Sequence, residues 1–360
     1  MLRVVVASDK FKGSLTSAQV AAAVATGVRR VHPGATVVAV PVADGGDGTL
    51  AAAVAAGYSL VPVDAAGPTG LPVRSGYARR GDTAVVELAD VCGLVRLPGE
   101  LAPMTASSYG CGELIAAAID VGCSQLSLGI GGSASTDGGT GLVRALAGGE
   151  VLDLAALRAR LDGVRVVVAC DVDNPLTGPR GAAAVYGPQK GASPTQVAAL
   201  DTRLTQWADQ VAAATGHDLR DTPGAGAAGG VGFAALALLG AELRPGIDLM
   251  LDMVGFRDHL VGADLVITGE GALDDQTLRG KAVAGIAAAA SAVPVVAVCG
   301  VNNLDPAGLA TIGVQAAYAL TDLEPDVERC IADPIPLLVK LAEQLASEHL
   351  TMAETGEGSA

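Results

Sequence analysis

Aromatic side chains are scarce in this chain: three Phe, five Tyr and one Trp among 360 residues. A buried core must therefore be built from Ala, Val and Leu, and the apolar half of the composition supplies them. Basic residues are also short, 23 Lys and Arg against 38 Asp and Glu, for a net charge of −15. That balance argues against a nucleic-acid partner, because a phosphate backbone needs a basic surface. It leaves a small anionic substrate open, since local charge differs from net charge. No apolar run reaches the ~18 residues of a membrane span, so no membrane partner is expected. The first residues form a short apolar run broken at Asp9, which is not the pattern of a signal peptide. The cysteines (Cys92, Cys111, Cys123, Cys170, Cys299 and Cys330) form no C-x-x-C pair and no Cys/His cluster. Reduced thiols and a cytoplasmic setting follow. His32, His217, His259 and His349 lack the neighbours of a metal site or a catalytic triad. A G-x-S-x-G elbow and a P-loop are both missing, and Lys12-Gly13-Ser14 has the wrong order for the latter.

The length is too great for a typical single core, so two domains are expected. The chain opens as strand, helix, strand, helix. Residues 4–7 read as a buried strand, and a helix over 16–31 carries Val20, Val24 and Val28 at helical spacing. Ser14 or Thr16 can cap it, and Pro33-Gly34 stops it. A strand over 36–42 and an Ala-rich helix to about residue 56 follow, which favours a parallel sheet with helices on its faces. After Tyr58 the texture changes to short strands, over 60–64, 73–77 and 83–88, punctuated by Gly67-Pro68 and Gly81-Asp82. Helices resume near Ser107, with a strand over 164–169 and a polar-faced helix over 194–214 carrying Trp207. The α/β texture returns with a strand over 265–268, a helix over 283–291, strands over 293–298 and 316–320, and a helix over 337–347. Residues 351–360 are polar and are expected to be disordered. The two ends of the chain thus read as one doubly wound sheet with the middle inserted into it.

The stretch Gly129-Ile130-Gly131-Gly132-Ser133-Ala134-Ser135-Thr136-Asp137-Gly138-Gly139-Thr140-Gly141 carries six glycines between an apolar run and a helical one. Such a loop can bring backbone amides close to an anion, or simply connect a strand to a helix. Gly224-Ala225-Gly226-Ala227-Ala228-Gly229 matches G-x-G-x-x-G, but no strand precedes it, so a dinucleotide fingerprint is rejected in favour of a close-packed helix start. Four further polar loops follow predicted strands, where open α/β sheets bind ligands. They carry Lys10, Lys12 and Ser14; Asp44 and Asp47; Asp171, Asp173, Asn174 and Arg180; and Glu270, Asp274 and, just beyond, Lys281. Carboxylates mixed with lysines and amide-rich loops suit Mg²⁺-nucleotide phosphoryl transfer. Any one of these residues alone reads equally as a helix cap or a solvated charge.

Taken in order, several motifs resemble the bacterial glycerate kinase family. They are Asp9-Lys10-Phe11-Lys12-Gly13-Ser14-Leu15, Ala43-Asp44-Gly45-Gly46-Asp47-Gly48-Thr49, Ile130 through Gly139, Cys170-Asp171-Val172-Asp173-Asn174-Pro175-Leu176 and Thr268-Gly269-Glu270-Gly271. Gly187-Pro188-Gln189-Lys190-Gly191 and the glycines from Gly224 to Gly232 fit the same pattern. The resemblance covers residues 1–345 and implies phosphorylation of D-glycerate by ATP with Mg²⁺, in the best-known members at the 2-hydroxyl. It implies a flavodoxin-like, doubly wound parallel sheet as a discontinuous domain, residues 1–60 plus 252–350. A second α/β domain over 61–251 is inserted in it, and the active site lies in the cleft between the two. On this expectation the 129–141 loop faces the loops at Ser8, Asp44 and Glu270 across that cleft. Asp171 takes the hydroxyl proton, with Lys12, Asp44 and Glu270 in the catalytic wall. Lys10, Ser14, Asn174, Arg180 and Lys281 meet the substrate. Gly131, Gly132, Ser133, Ser135, Gly138 and Gly139 hold the nucleotide, and Asp173 or Asp137 holds Mg²⁺. The sequence leaves a homodimer open.

Overall fold

Eleven strands form among the residues described by the computed structural model, which are 2–11, 13–43, 45–149, 152–279 and 282–350. In chain order they are β1 (Arg3–Ser8), β2 (Thr36–Ala39), β3 (Ser59–Ala66), β4 (Pro72–Arg80), β5 (Thr83–Glu87), β6 (Gln125–Gly129), β7 (Arg165–Ala169), β8 (Glu242–Arg244), β9 (Leu265–Leu273), β10 (Val295–Asn302) and β11 (Ala316–Ala319). The chain divides into two compact units, Met1–Ala43 with Leu251–Ala360, and Asp44–Met250.

In the first unit the sheet order is β2-β1-β9-β10-β11, and every pairing is parallel. Counted within the unit this is 2-1-3-4-5, the flavodoxin-like order, with its switch point between β1 and β9. Val4, Val5, Val6, Val266, Ile267, Val296 and Val298 are all fully buried. Continuous apolar strands of this kind are what a parallel sheet covered on both faces requires. The helix Ser17–Val31 is capped by Thr16, whose side chain accepts from Gln19 N while the Gln19 side chain returns to the Thr16 amide. It buries Val20, Val24 and Val28. It packs against the helix Pro334–His349 closely enough that a Cβ on Gly27 would lie 2.4 Å from the Val339 carbonyl oxygen. That last helix begins three residues earlier than its apolar pattern suggests, because Pro334 and Pro336 sit in the first turn, where a missing N–H costs nothing.

In the second unit the order is β3-β4-β5-β6-β7-β8. The hairpin pairs β3/β4 and β4/β5 are antiparallel, and β5 to β8 are parallel. Its core is aliphatic, with Leu88, Leu114, Ile115, Leu126, Leu128, Leu142 and Val168 buried and Tyr77 and Phe233 the large aromatic members. The sequence reading puts the first boundary at residue 60, whereas the units divide between Ala43 and Asp44. Residues 45–60 go with the second sheet for a physical reason. A Cβ on Gly45 would lie 2.4 Å from the Ala169 Cβ at the end of β7, and the Glu87 carboxylate at the end of β5 accepts from the Gly48 and Leu50 amides. The helix Thr49–Ala55, which reads as the next step of the opening β-α-β-α pattern, is thereby bound to the other sheet. No described helix is long and apolar enough to cross a membrane.

Candidate active site

The loop between β6 and the helix Thr140–Ala147 is organised by one carboxylate. Asp137 Oδ2 accepts from the Ser108 amide at 2.9 Å, the Ser108 hydroxyl at 2.8 Å and the Gly141 amide at 3.2 Å. Its Oδ1 accepts from the Gly139 amide at 3.1 Å. These donors include the N-cap amide of Gly139 and the first-turn amide of Gly141 in the helix that follows, so the carboxylate closes that helix terminus. The sequence reading offers Asp137 as a metal ligand; here its oxygens are taken up by protein donors.

The loop glycines serve backbone packing. Gly138 and Gly139 lie at φ +68° and +73°, and a Cβ there would meet Trp207 Cδ1 at 2.6 Å and the Ala234 Cβ at 2.4 Å. Trp207 Nε1 donates to the Gly138 carbonyl. Three amides expected to cradle phosphate already donate within the fold. Gly131 donates to the Gly45 carbonyl at 3.3 Å, Gly138 to the Gly229 carbonyl at 2.9 Å, and Gly139 to Asp137. The second glycine-rich stretch, around Gly229 and Gly230, is the surface on which this one rests.

Between the glycines lie Ser133, Ala134, Ser135 and Thr136, all buried. Beneath them sits a residue that the site reading omits, Lys190. It ends the short 3-10 turn Pro188–Lys190, closed by Gly191 at φ +89°. Lys190 is only 2% exposed, and its Nζ donates to Ser133 Oγ at 2.8 Å and to the Ser135 carbonyl at 2.5 Å. Burial pushes its pKa down to about 8, against the pull of Asp137. The Ser135 and Thr136 hydroxyls are buried with no hydrogen-bond partner among the described residues. The sequence signal for Lys190 was the Gly187 to Gly191 motif, which marked the place without distinguishing the lysine.

The loop 45–49 adjoins this one inside the second unit. A Cβ on Gly132 would lie 2.8 Å from Asp47 Oδ1, and one on Gly131 would lie 2.7 Å from the Gly46 Cα. The expectation that these two loops face each other from different domains is thus replaced by direct contact within one. Asp44 itself lies outside the described residues. Glu87, also absent from the sequence reading, supports the loop through Gly48 and Leu50. Burial raises its pKa, the two amide bonds oppose the rise, and Asp90 and Asp47 add to it.

Following β7, Asp171 is exposed and accepts from the Gly246 amide at 2.8 Å through Oδ1. Asp173 and Arg180 pair at 3.3 Å in solvent. Asn174 is turned inward on its own loop: its Nδ2 donates to the Arg180 carbonyl, and Tyr186 OH donates to its Oδ1. The loops after β6 and β7 stand at the carboxyl ends of parallel strands, the usual ligand edge of such a sheet. No group of three His, Cys, Asp or Glu that could hold a metal occurs among the described residues. A metal bound by one carboxylate together with substrate phosphates, as Mg²⁺ commonly is, fits the exposed Asp173 better than an all-protein cage does.

In the first unit the end of β1 is tied to the middle of β9 at the switch point. The Ser8 hydroxyl lies 3.0 Å from the Gly269 carbonyl, and the Asp9 amide donates to the same oxygen. The Lys10 amide donates to the Asp9 carboxylate at 2.7 Å. Ser14 closes a turn onto the Phe11 carbonyl through both its amide and its hydroxyl. Glu270 accepts from the Thr277 hydroxyl at 2.6 Å. Lys10 and Ser14 therefore lie on the loop after β1, whereas Glu270, expected on a loop, lies within the neighbouring strand β9, which continues five residues past the predicted end at 268 because it stays paired with β10. Lys12 and Lys281 lie outside the described residues, as do residues 351–360.

A model of the glycerate kinase family matches residues 4–350. The glycerate kinase of Bacillus subtilis strain 168 is 39% identical, with 98% of this chain and 99% of that protein covered. The glycerate 2-kinase of Escherichia coli K12 is 38% identical, covering 89% and 90%. A solved crystal structure from Salmonella typhimurium LT2, provisionally described as glycerate kinase 2, is 37% identical with a TM-score of 0.80, covering 96% and 98%. The family match spans the residues that form both sheets, at an identity well above the level where only a fold is shared. The chain belongs to the glycerate kinase family.

Proposed function

We propose that this protein transfers the γ-phosphoryl group of ATP to the 2-hydroxyl of D-glycerate, giving ADP and 2-phosphoglycerate. The observation that carries the reading is likeness over nearly the whole length to proteins named glycerate kinase and glycerate 2-kinase. The strand-end loops supply matching chemistry. Asp171, exposed and anchored by one oxygen to the Gly246 amide, is the base for the hydroxyl proton. Asp173 would hold a Mg²⁺ ion that arrives with the nucleotide, and the ion would supply charge neutralisation at the phosphates. Arg180 pairs with Asp173 in solvent and is the cation placed to meet an anionic substrate group at this loop. Asn174 orders this loop, because its amide bonds the Arg180 carbonyl within the loop and Tyr186 on the helix Ala182–Tyr186 that follows. Lys10, Lys12 and Lys281 neutralise substrate or phosphoryl charge, and Ser14, Asp44 and Glu270 shape polar contacts. The segment from Gly131 to Gly139 serves the nucleotide, with Asp137 as its organiser.

Coupled ADP release should respond to glycerate and not to lactate, tartronate or simple sugars. Enolase should consume the product directly. A product that needs phosphoglycerate mutase first would move the reaction to the 3-hydroxyl, and ADP release without any glycerate dependence would discard the substrate. Asp171→Asn should lower kcat by roughly 10²-fold or more while KM for glycerate moves little. An unchanged kcat removes Asp171 as the base.

A further inference from the structure

We infer that Lys190 is a positioning residue that makes the crest Gly131-Gly132-Ser133 an oxyanion-recognising surface, acting through Ser133, Ser135 and its own buried charge. This rests on the reading of the loop as part of the substrate site, and it names what in the loop does the recognising.

Four observations lead there. Lysine is almost never fully buried, since an ammonium loses its hydration on entering the interior. Lys190 is nevertheless 2% exposed, and among the described residues its hydrogen-bond partners are neutral, a serine hydroxyl and a carbonyl, with no carboxylate at ion-pair distance. Such a charge is poorly compensated, and an apolar side chain would be the cheaper filling for a purely structural position. Second, the cation lies under an exposed crest: Gly132 is exposed and Gly131 half-buried, while residues 133–136 are buried. Burial of Nζ places its action on Ser133 Oγ and the Ser135 carbonyl rather than on a ligand atom. Third, the crest is fixed in register from both sides. Leu94 N donates to the Gly132 carbonyl and Ala134 N to the Cys92 carbonyl, while Lys190 holds the two serines from below. Fourth, the Gly131, Gly138 and Gly139 amides are used inside the fold, so anion preference in this loop cannot rest on them. A positive charge in a poorly screened interior acts over a longer range than the same charge in water. The oxyanion it suits is a nucleotide phosphate or the glycerate carboxylate.

Lys190→Met and Lys190→Arg in the full-length protein test this, with KM measured separately for ATP and glycerate. Binding of ADP and of glycerate is measured by calorimetry alongside. The Met variant should show a KM and a Kd about 10-fold higher for one ligand. A rise for ATP and ADP assigns the phosphate, and a rise for glycerate assigns the carboxylate. Its thermal midpoint should not fall, and Arg should recover part of the affinity. Values for both ligands within about 2-fold of wild type would overturn the inference, as would a Met variant that loses stability and activity together with no recovery by Arg. If the wild type binds these ligands without phosphorylating glycerate, the activity reading fails, and the Kd ratios still judge Lys190.

Discussion

Lys190 should also leave a signature in stability that runs opposite to its effect on ligand affinity. Its ammonium has a pKa of about 8 in the folded protein, against an ordinary value of 10.5, because burial disfavours the charged form. Below pH 8 the group is protonated in both folded and unfolded chains, and the fold bears the cost of burying the charge. Between about 8 and 10.5 the unfolded chain holds the proton and the folded one releases it, so this residue's contribution to stability rises with pH. At ~1.4 kcal/mol per pH unit the full rise is about 3 kcal/mol. Other groups move the other way: burial raises the thiol pKa values of Cys92 and Cys299, so their contribution falls in the alkaline range. The clean quantity is therefore the difference between Lys190→Met and wild type, measured by urea unfolding at a series of pH values. Met should be favoured by about 3 kcal/mol more at pH 7 than at pH 10.5. A difference that stays flat from pH 7 to 10.5 would refute the buried, unpaired ammonium. Over the same range wild-type affinity for the oxyanion should weaken, while that of the Met variant should not.

Removing the carboxylate that organises the loop should cost more than an ordinary surface change. Asp137→Ala strands the Ser108, Gly139 and Gly141 amides, and we expect a loss of about 3–5 kcal/mol by urea unfolding, with less than 1 kcal/mol contradicting the bonding described. Gly230→Ala combines φ +96° with a Cβ 2.6 Å from the Gly138 Cα, and should cost about 2–4 kcal/mol. Gly57→Ala, at φ +92° with open space around it, should cost only about 1 kcal/mol. Equal losses at the two positions would show that the contact between the glycine stretches does not matter.

Much of the fold could be read from the chain because local and tertiary demands agree there. The apolar runs of β1, β9 and β10 signal strands buried on both faces, and their alternation with helices leaves few arrangements other than a doubly wound sheet. The capping box at Thr16 and the hairpin turns near Gly67 and Gly81 are set within a few residues, so the sequence shows them directly. The first boundary is a different case. The helix Thr49–Ala55 has the same Ala-rich texture wherever it packs, and what assigns it to the second sheet is a carboxylate at Glu87, 39 positions from Gly48. No periodicity near residue 50 records that bond.

The site was legible to the same limit, and the glycines show why. A glycine's spacing reports that a side chain is excluded, without saying whether a ligand or another piece of backbone excludes it. Here the Gly138 backbone excludes a side chain at Gly230, and Ala234 excludes one at Gly139, so the anion-loop candidate and the stretch read as a close-packed helix start are halves of one packing contact. Asp137 poses the same ambiguity, since a carboxylate ahead of a helix suits a metal or a helix terminus equally well, and five protein donors, the Gly139 and Gly141 amides among them, decide for the terminus. Lys190 was hidden for the converse reason. A lysine between Gln189 and Gly191 looks like a solvated turn residue, and only its burial under Ser133 and Ser135, 57 and 55 positions away, marks it as unusual. With the Gly131, Gly138 and Gly139 amides bonded inside the fold, local positive charge is the second means by which this loop can favour an anion in a chain of net charge −15. Under this loop the buried cation is Lys190.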